Sequence, residues 1–152
     1  MDPSTVTPWG SNWVWSVPLI VVTVIFHAYG LGLLNQLVSF VLNGPGKKHL
    51  VDIVSLSVVG GAALFATLLH GIETSLWAAA YYLLGGLPDR KSAMLYSLGA
   101  MTTAGGTYLR LESPWRLMGS IEALNGWILF GLTTAFLFNV IQEVWSHRNS
   151  HT

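Results

Sequence analysis

Tyr96-Ser-Leu-Gly-Ala-Met-Thr-Thr-Ala-Gly-Gly-Thr-Tyr108 is the stretch on which the interpretation of this chain depends. It carries no charged residue, and the adjacent glycines Gly105 and Gly106 make its second half poor helix material. We therefore predict a short helix over residues 92–101 that enters a membrane, followed by a turn over residues 102–108 that leads back out. Non-helical backbone at membrane depth is stable only where it is buried in protein or lines water. The turn is accordingly a candidate pore lining.

The composition is that of a membrane protein. Of the 152 residues, 52% are hydrophobic and only 9% are charged, whereas soluble domains carry about a quarter charged residues. The net charge of zero gives no reason to expect a nucleic-acid partner. The sequence contains no cysteine, which excludes disulfides and thiolate chemistry. We expect a single membrane domain whose surroundings are the lipid bilayer.

Three apolar stretches are long enough to cross that bilayer. We predict membrane helices over residues 13–42, 53–84 and 115–145, with a polar lead over residues 1–12 and a polar tail over residues 146–152. The short helix and its turn fall between the second and the third of these helices. The predicted fold class is an all-α membrane protein with three transmembrane helices, a re-entrant pore helix and a filter-like loop.

Two segments carry a resemblance to a known family. YSLGAMTTAGG and the following WRLMGSIEALNGWILFGLTTAFLF resemble the pore loop and inner helix of the tetrameric potassium-channel superfamily, and more narrowly its small bacterial ion channels. The resemblance covers about residues 69–138. It implies a homotetramer with a central pore, embedded in the bacterial inner (plasma) membrane. It also implies passive transport of monovalent cations, with K⁺ as the candidate permeant ion and no further cofactor.

The filter of that family reads Thr-Val-Gly-Tyr-Gly-Asp. Aligned without a gap, this chain offers Thr103, Ala104, Gly105, Gly106, Thr107 and Tyr108. Only Thr103 and Gly105 match. Thr107 places a β-branched side chain where the family uses glycine to reach unusual φ and ψ angles. The resemblance therefore implies a degenerate filter, wider or differently folded, with weak or altered selectivity.

Selectivity filters replace the water of an ion with rings of backbone carbonyls. We expect the ion pathway to be formed by Thr102, Thr103, Ala104, Gly105, Gly106 and Thr107, with Thr102 packed behind Thr103. Tyr108 stands at the pore mouth, where the family has an acidic residue, and Arg110 is close by. Four such arginines would repel cations and could favour anions. Alternatively, Arg110 pairs with Glu112 or extends to lipid headgroups.

The last predicted helix contains three candidates for filter support or gating. Glu122 lies about two turns into this helix, and the resemblance implies that it sits near the filter, either facing the ion path or supporting the loop from behind. Gly126 and Gly131 are hinge candidates, because glycine weakens a helix locally. Close packing of helices is an equally common reason for glycine in membranes.

His70 and Glu73 are three residues apart on one face of the second predicted helix. Ionisable residues within a membrane are costly and indicate function. A structural hydrogen bond to the pore helix, proton sensing, and a metal site completed by His27 are all compatible with this spacing. No ligand motif or nucleophile motif accompanies them, so we expect neither a metal centre nor an enzyme. The alternative to a channel is a non-conducting membrane sensor or binding protein that retains the channel fold.

Overall fold

The computed structural model describes residues 9–42, 51–104 and 109–149. Within these residues all regular secondary structure is helical, and no strand is present. The α-helices, in chain order, are α1 (Trp9–Leu42), α2 (Val51–Leu83), α3 (Arg90–Met101) and α4 (Arg116–Asn149), and a short 3₁₀ turn (Ser113–Trp115) leads into α4. The prediction of an all-α chain is confirmed for the described residues.

Three of these helices are long and apolar enough to cross a membrane: α1 over its whole length, α2 over Ser55–Leu83 and α4 over Arg116–Ser146. Crossing the hydrocarbon core takes about 20 residues, so α3, with 12 residues, is too short to do so. Large apolar side chains are exposed along all three long helices, among them Ile25, Leu64 and Trp127. These surfaces are compatible with a membrane-embedded protein. The prediction of three helices of spanning length is confirmed.

The outer ends of α1 and α4 differ from the predicted bounds. α1 begins at Trp9 rather than at residue 13, so the described part of the predicted polar lead is helical. Its first turns are fixed by Asn12, whose side-chain amide donates to the carbonyl oxygen of Pro114 at 2.9 Å and accepts from the backbone N–H of Met118 at 3.1 Å. α4 continues to Asn149 and so extends into the predicted tail.

The start of α3 is set by Asp89, which lies one residue before the helix. Asp89 Oδ1 accepts from the backbone N–H of Ser92 at 2.9 Å, and Oδ2 accepts from the Ser92 hydroxyl at 2.7 Å. These two hydrogen bonds, that from the hydroxyl first, lower the pKa of the Asp89 carboxyl below its ordinary value. The helix therefore begins at Arg90, because aspartate is among the best N-cap residues.

The described chain divides into two compact units. The first comprises Met1–Ile25 and Gly71–Leu129. In its core, residues of α2, α3 and α4 pack together with Leu87 and Leu111 from the connecting segments. The buried residues of this core are Trp77, Ala78, Tyr81, Leu87, Ala93, Met101, Leu111, Met118, Ile121 and Leu129. α3 is thus packed into the first unit rather than lying apart from it.

The second unit comprises Phe26–His70 and Phe130–Thr152. The buried residues of its described core are aliphatic and come from α1, α2 and α4: Leu34, Val38, Leu42, Ala62, Val140 and Val144. Gly30 of α1 allows close packing here, since a Cβ at that position would lie 2.9 Å from a methyl carbon of Leu69. A small residue that lets two helices approach closely is typical of helix packing in membranes.

Candidate functional site

A buried carboxyl group connects three helices of the first unit. Glu122, on α4, is fully buried. Its Oε2 accepts a hydrogen bond from the hydroxyl of Tyr81 on α2, at 2.6 Å. Its Oε1 lies within hydrogen-bond reach of the Ser97 hydroxyl on α3, and that hydroxyl is also 2.9 Å from the carbonyl oxygen of Thr74 on α2. The Ser97 hydroxyl has one proton, which it shares between these two acceptors.

This hydrogen-bond network contacts the second half of α3. Ser97 precedes the last helical residue, Met101, by about one turn, and both are fully buried. The ring of Tyr81 meets the ring of Tyr96 edge to face, with centroids 5.4 Å apart. Because a buried carboxyl is costly unless it is hydrogen-bonded, the three side chains specify one arrangement of the helices. The predicted site residue Glu122 thus contacts the second half of α3.

Two glycines of α4 let α3 approach closely. A Cβ at Gly119 would overlap the hydroxyl of Tyr96, and a Cβ at Gly126 would overlap the carbonyl oxygen of Met101. Gly126 therefore has a packing role at the end of α3. Gly131, the other hinge candidate, lies in the second unit, and a Cβ there would meet no described atom within 4 Å beyond the backbone of its own helix.

The segment that follows α3 carries the described part of the predicted ion pathway. Thr102 caps the helix, with its hydroxyl donating to the carbonyl oxygen of Leu98 at 2.7 Å. Thr103 then adopts a φ of 55°, in the left-handed region that a β-branched residue avoids, at a typical cost of about 1–3 kcal/mol. Thr102, Thr103 and Ala104 are all exposed. The other predicted filter residues, Gly105, Gly106, Thr107 and the mouth residue Tyr108, lie outside the described residues.

Arg110, predicted at the pore mouth, is exposed and lines a cleft of the first unit. The predicted alternative in which it pairs with Glu112 does not occur here, since Arg110 forms no hydrogen bond or ion pair with any other residue that the structure describes. The neighbouring backbone is well fixed: Leu111 is buried, and the N–H of Glu112 donates to the carbonyl oxygen of Gly86 at 3.3 Å.

A second polar group lies in the second unit. Thr133 Oγ1, on α4, is 3.0 Å from His27 Nε2 of α1 and 3.0 Å from His70 Nε2 of α2. The two imidazole centroids are 5.0 Å apart, and Phe130 stacks on His70 at 4.4 Å. Because a hydroxyl donates one proton, at least one imidazole donates its Nε2–H to Thr133. Glu73, three residues after His70 on α2, belongs to the first unit and is fully buried.

Four buried polar residues were not predicted from the sequence as site residues: Tyr81, Ser97, Thr133 and Asn125. Asn125 is fully buried on α4 and donates to Thr23 Oγ1 at 2.8 Å. An asparagine in an apolar helix was a usable signal, because an unsatisfied amide is expensive in lipid. The hydroxyl residues gave a weaker signal, because a hydroxyl can donate to a backbone carbonyl of its own helix. Thr23 does so with the carbonyl oxygen of Leu19 at 2.8 Å.

Comparison with protein-family models, with curated proteins and with solved structures finds no match for this chain. The functional interpretation therefore depends on the residues of the chain itself.

Proposed function

We propose that this protein forms an ion-conducting membrane pore as a homotetramer, in which α3 is a re-entrant pore helix and passage of monovalent cations is weakly selective. The proposal depends on the length and the packing of α3. It is too short to span a membrane, it is packed into the first unit against two helices of spanning length, and it is followed by three exposed residues, Thr102 to Ala104.

The physics of the bilayer supports this interpretation. Backbone groups after the end of a helix lack intrahelical partners and need protein or water around them at membrane depth. One chain supplies one such loop, so several copies around an axis are needed to enclose a path. A closed ring of four would surround the exposed threonines with each other and with water.

The contacts of Glu122 also support the proposal. Its hydrogen bonds with Tyr81 and Ser97 connect α4 and α2 to the last turns of α3, and Gly126 allows α4 to touch the carbonyl of Met101. A conducting loop must hold its carbonyls at fixed radii. In the proposed pore, this buried network fixes the point from which the loop starts.

Weak selectivity follows from the residues that occupy the filter positions. Gly106 and Thr107 stand where the superfamily has tyrosine and glycine, so we expect fewer ordered ion sites than in a complete filter. Fewer sites in a looser filter discriminate less between K⁺ and Na⁺. The left-handed backbone at Thr103 ends the helical path of the chain directly after α3.

Purified protein in planar bilayers tests the proposal. We expect single-channel currents whose reversal potential lies close to zero with K⁺ on one side and Na⁺ on the other. A variant carrying Ala104→Val, Gly106→Tyr, Thr107→Gly and Tyr108→Asp completes the filter and should move the reversal potential toward K⁺ selectivity. Tyr108→Asp alone is the control, because it changes the charge of the mouth without rebuilding the filter. A strongly K⁺-selective native channel would contradict the weak-selectivity part, and tetramers without current would contradict the pore.

A non-conducting membrane proton sensor is the second candidate, favoured by the pair His27 and His70 around Thr133. Two positive charges brought together on these imidazoles would be costly within an apolar unit. Tetramers that carry no current but whose thermal unfolding depends on pH would favour this function.

A further inference from the structure

A cleft of about 310 Å³ opens on the first unit beside the segment after α3. It is lined by Tyr96, Leu109, Arg110, Leu111 and Arg116. The polar side-chain groups of this described lining are two guanidinium groups and one phenol hydroxyl, and it contains no acidic residue. At neutral pH the described lining therefore carries two positive charges.

Neither guanidinium has a partner among the residues that the structure describes. Arg110 and Arg116 are both exposed, and neither forms a hydrogen bond or an ion pair with another residue of the described chain. The nearest acidic residue along the chain, Glu112, is exposed and does not line the cleft. Ten N–H donors, about five on each arginine, are thus available to a ligand.

The backbone that carries these arginines is held on both sides. Buried Leu111 and the hydrogen bond from Glu112 N–H to the Gly86 carbonyl oxygen fix the position of Arg110. Asn12 fixes the start of α4, and with it Arg116, through its contacts with Pro114 and Met118. Holding the backbone lowers the entropic cost of closing two long side chains on a ligand.

The third polar group, the Tyr96 hydroxyl, is positioned by packing. Tyr96 is half-buried, and its hydroxyl lies against Gly119 where no Cβ intervenes. A phenol hydroxyl is a hydrogen-bond donor at neutral pH. Guanidinium groups bind tetrahedral oxyanions in a bidentate manner, and a neighbouring hydroxyl complements such a pair.

We propose that this cleft binds a phosphate-type oxyanion, supplied either by a phospholipid headgroup or by free phosphate in solution. The site does not depend on the proposed pore, since it is formed by residues of one chain and its occupancy can be measured without current. Its volume accommodates a phosphate group with part of a glycerol, and the apolar flanks Leu109 and Leu111 suit the latter.

Thermal unfolding of the full-length protein in detergent, followed by tryptophan fluorescence, tests this site with two probes. The first probe is sodium phosphate, compared with sodium chloride at equal ionic strength. The second is phosphatidylglycerol added to the micelles, compared with phosphatidylcholine. We expect one or both anionic probes to raise the Tm of the wild type. Stabilisation by phosphate identifies a free-anion site, and stabilisation by phosphatidylglycerol alone identifies a headgroup site.

The cleft variant combines Arg110→Gln with Arg116→Gln, and the control combines Arg90→Gln with Lys91→Gln, which removes two charges at the start of α3. Both pairs are exposed, so both variants should fold. The cleft variant should bind the stabilising probe at least about tenfold more weakly, since charge-assisted hydrogen bonds are lost, while the control keeps wild-type affinity. The proposal is overturned if neither probe stabilises the wild type, or if the cleft variant and the control respond alike.

Discussion

Glu122 shows how one side chain can organise three helices. The carboxyl lies where no water reaches it, and its two oxygens meet hydroxyls that come from α2 and α3. Burial of a carboxyl is costly, and hydrogen bonds to it repay that cost only when all of them are formed. The contribution of such a group is therefore best seen by removing one partner at a time.

Replacing Tyr81 by phenylalanine tests this reasoning. The substitution keeps the buried ring but removes the donor to Glu122 Oε2, so we expect a loss of about 1–3 kcal/mol in the free energy of unfolding. Tyr82→Phe is the matched control: it is the next residue, its ring is exposed, and its change should stay within about 0.5 kcal/mol. Denaturant or thermal unfolding in detergent measures both.

Glu122→Gln extends the same test. Each carboxyl oxygen of Glu122 faces a hydroxyl, whereas only one of the two polar atoms of a glutamine amide is an acceptor. This variant should therefore also be destabilised by about 1–3 kcal/mol. In a double-mutant cycle with Tyr81→Phe, the two losses should fall short of additivity by at least about 0.5 kcal/mol, because the residues are in contact. Equal stabilities of the Tyr81 and Tyr82 variants would show that the buried hydrogen bond contributes nothing.

At the level of the helices, much was predictable because the signals are local. The uncharged runs indicated three helices of spanning length. The adjacent glycines Gly105 and Gly106, which are poor helix material, indicated that a separate short helix ends before them. The ends were less predictable. The start of α1 depends on contacts of Asn12 with Pro114 and Met118, which are distant in the sequence. The link from Glu122 to its hydroxyl partners likewise needs the rotational setting of three helices, which periodicity alone does not supply.

The two hinge candidates on α4 give the test at this scale. Gly126→Ala places a methyl group against the carbonyl oxygen of Met101, which belongs to backbone and cannot turn aside. Such overpacking typically costs about 1–3 kcal/mol. Gly131→Ala meets open space and should be neutral or stabilising by up to about 1 kcal/mol, since alanine is the better helix former. Unfolding of the two variants in detergent compares them directly, and equal losses would refute a packing role specific to Gly126.

For the whole molecule, the described residues form two compact units, and each long helix contributes to both. The first unit contains α3, the buried carboxyl and the arginine cleft; the second contains the two imidazoles around Thr133. The groups proposed to form a path therefore belong to the first unit, and the imidazole pair proposed to respond to protons belongs to the second. In a membrane, the exposed residues after α3 need protein or water around them. Either several copies of the chain assemble around them, or the single chain shields them itself.

The oligomeric state decides between these possibilities. A single chain leaves Thr102, Thr103 and Ala104 exposed after α3, and such backbone is unstable against lipid. A closed ring of four chains, each of 16.5 kDa, would face these segments toward one another across a water-filled axis, and closed cyclic symmetry leaves no unsatisfied edge. Light scattering coupled to size-exclusion chromatography, with the detergent contribution subtracted, should therefore give the mass of four chains in a mild detergent. The mass should stay constant on tenfold dilution, because an assembly that encloses its polar loops dissociates only at the cost of exposing them. A monodisperse monomer under the same conditions would refute the pore, since one re-entrant loop cannot surround an ion.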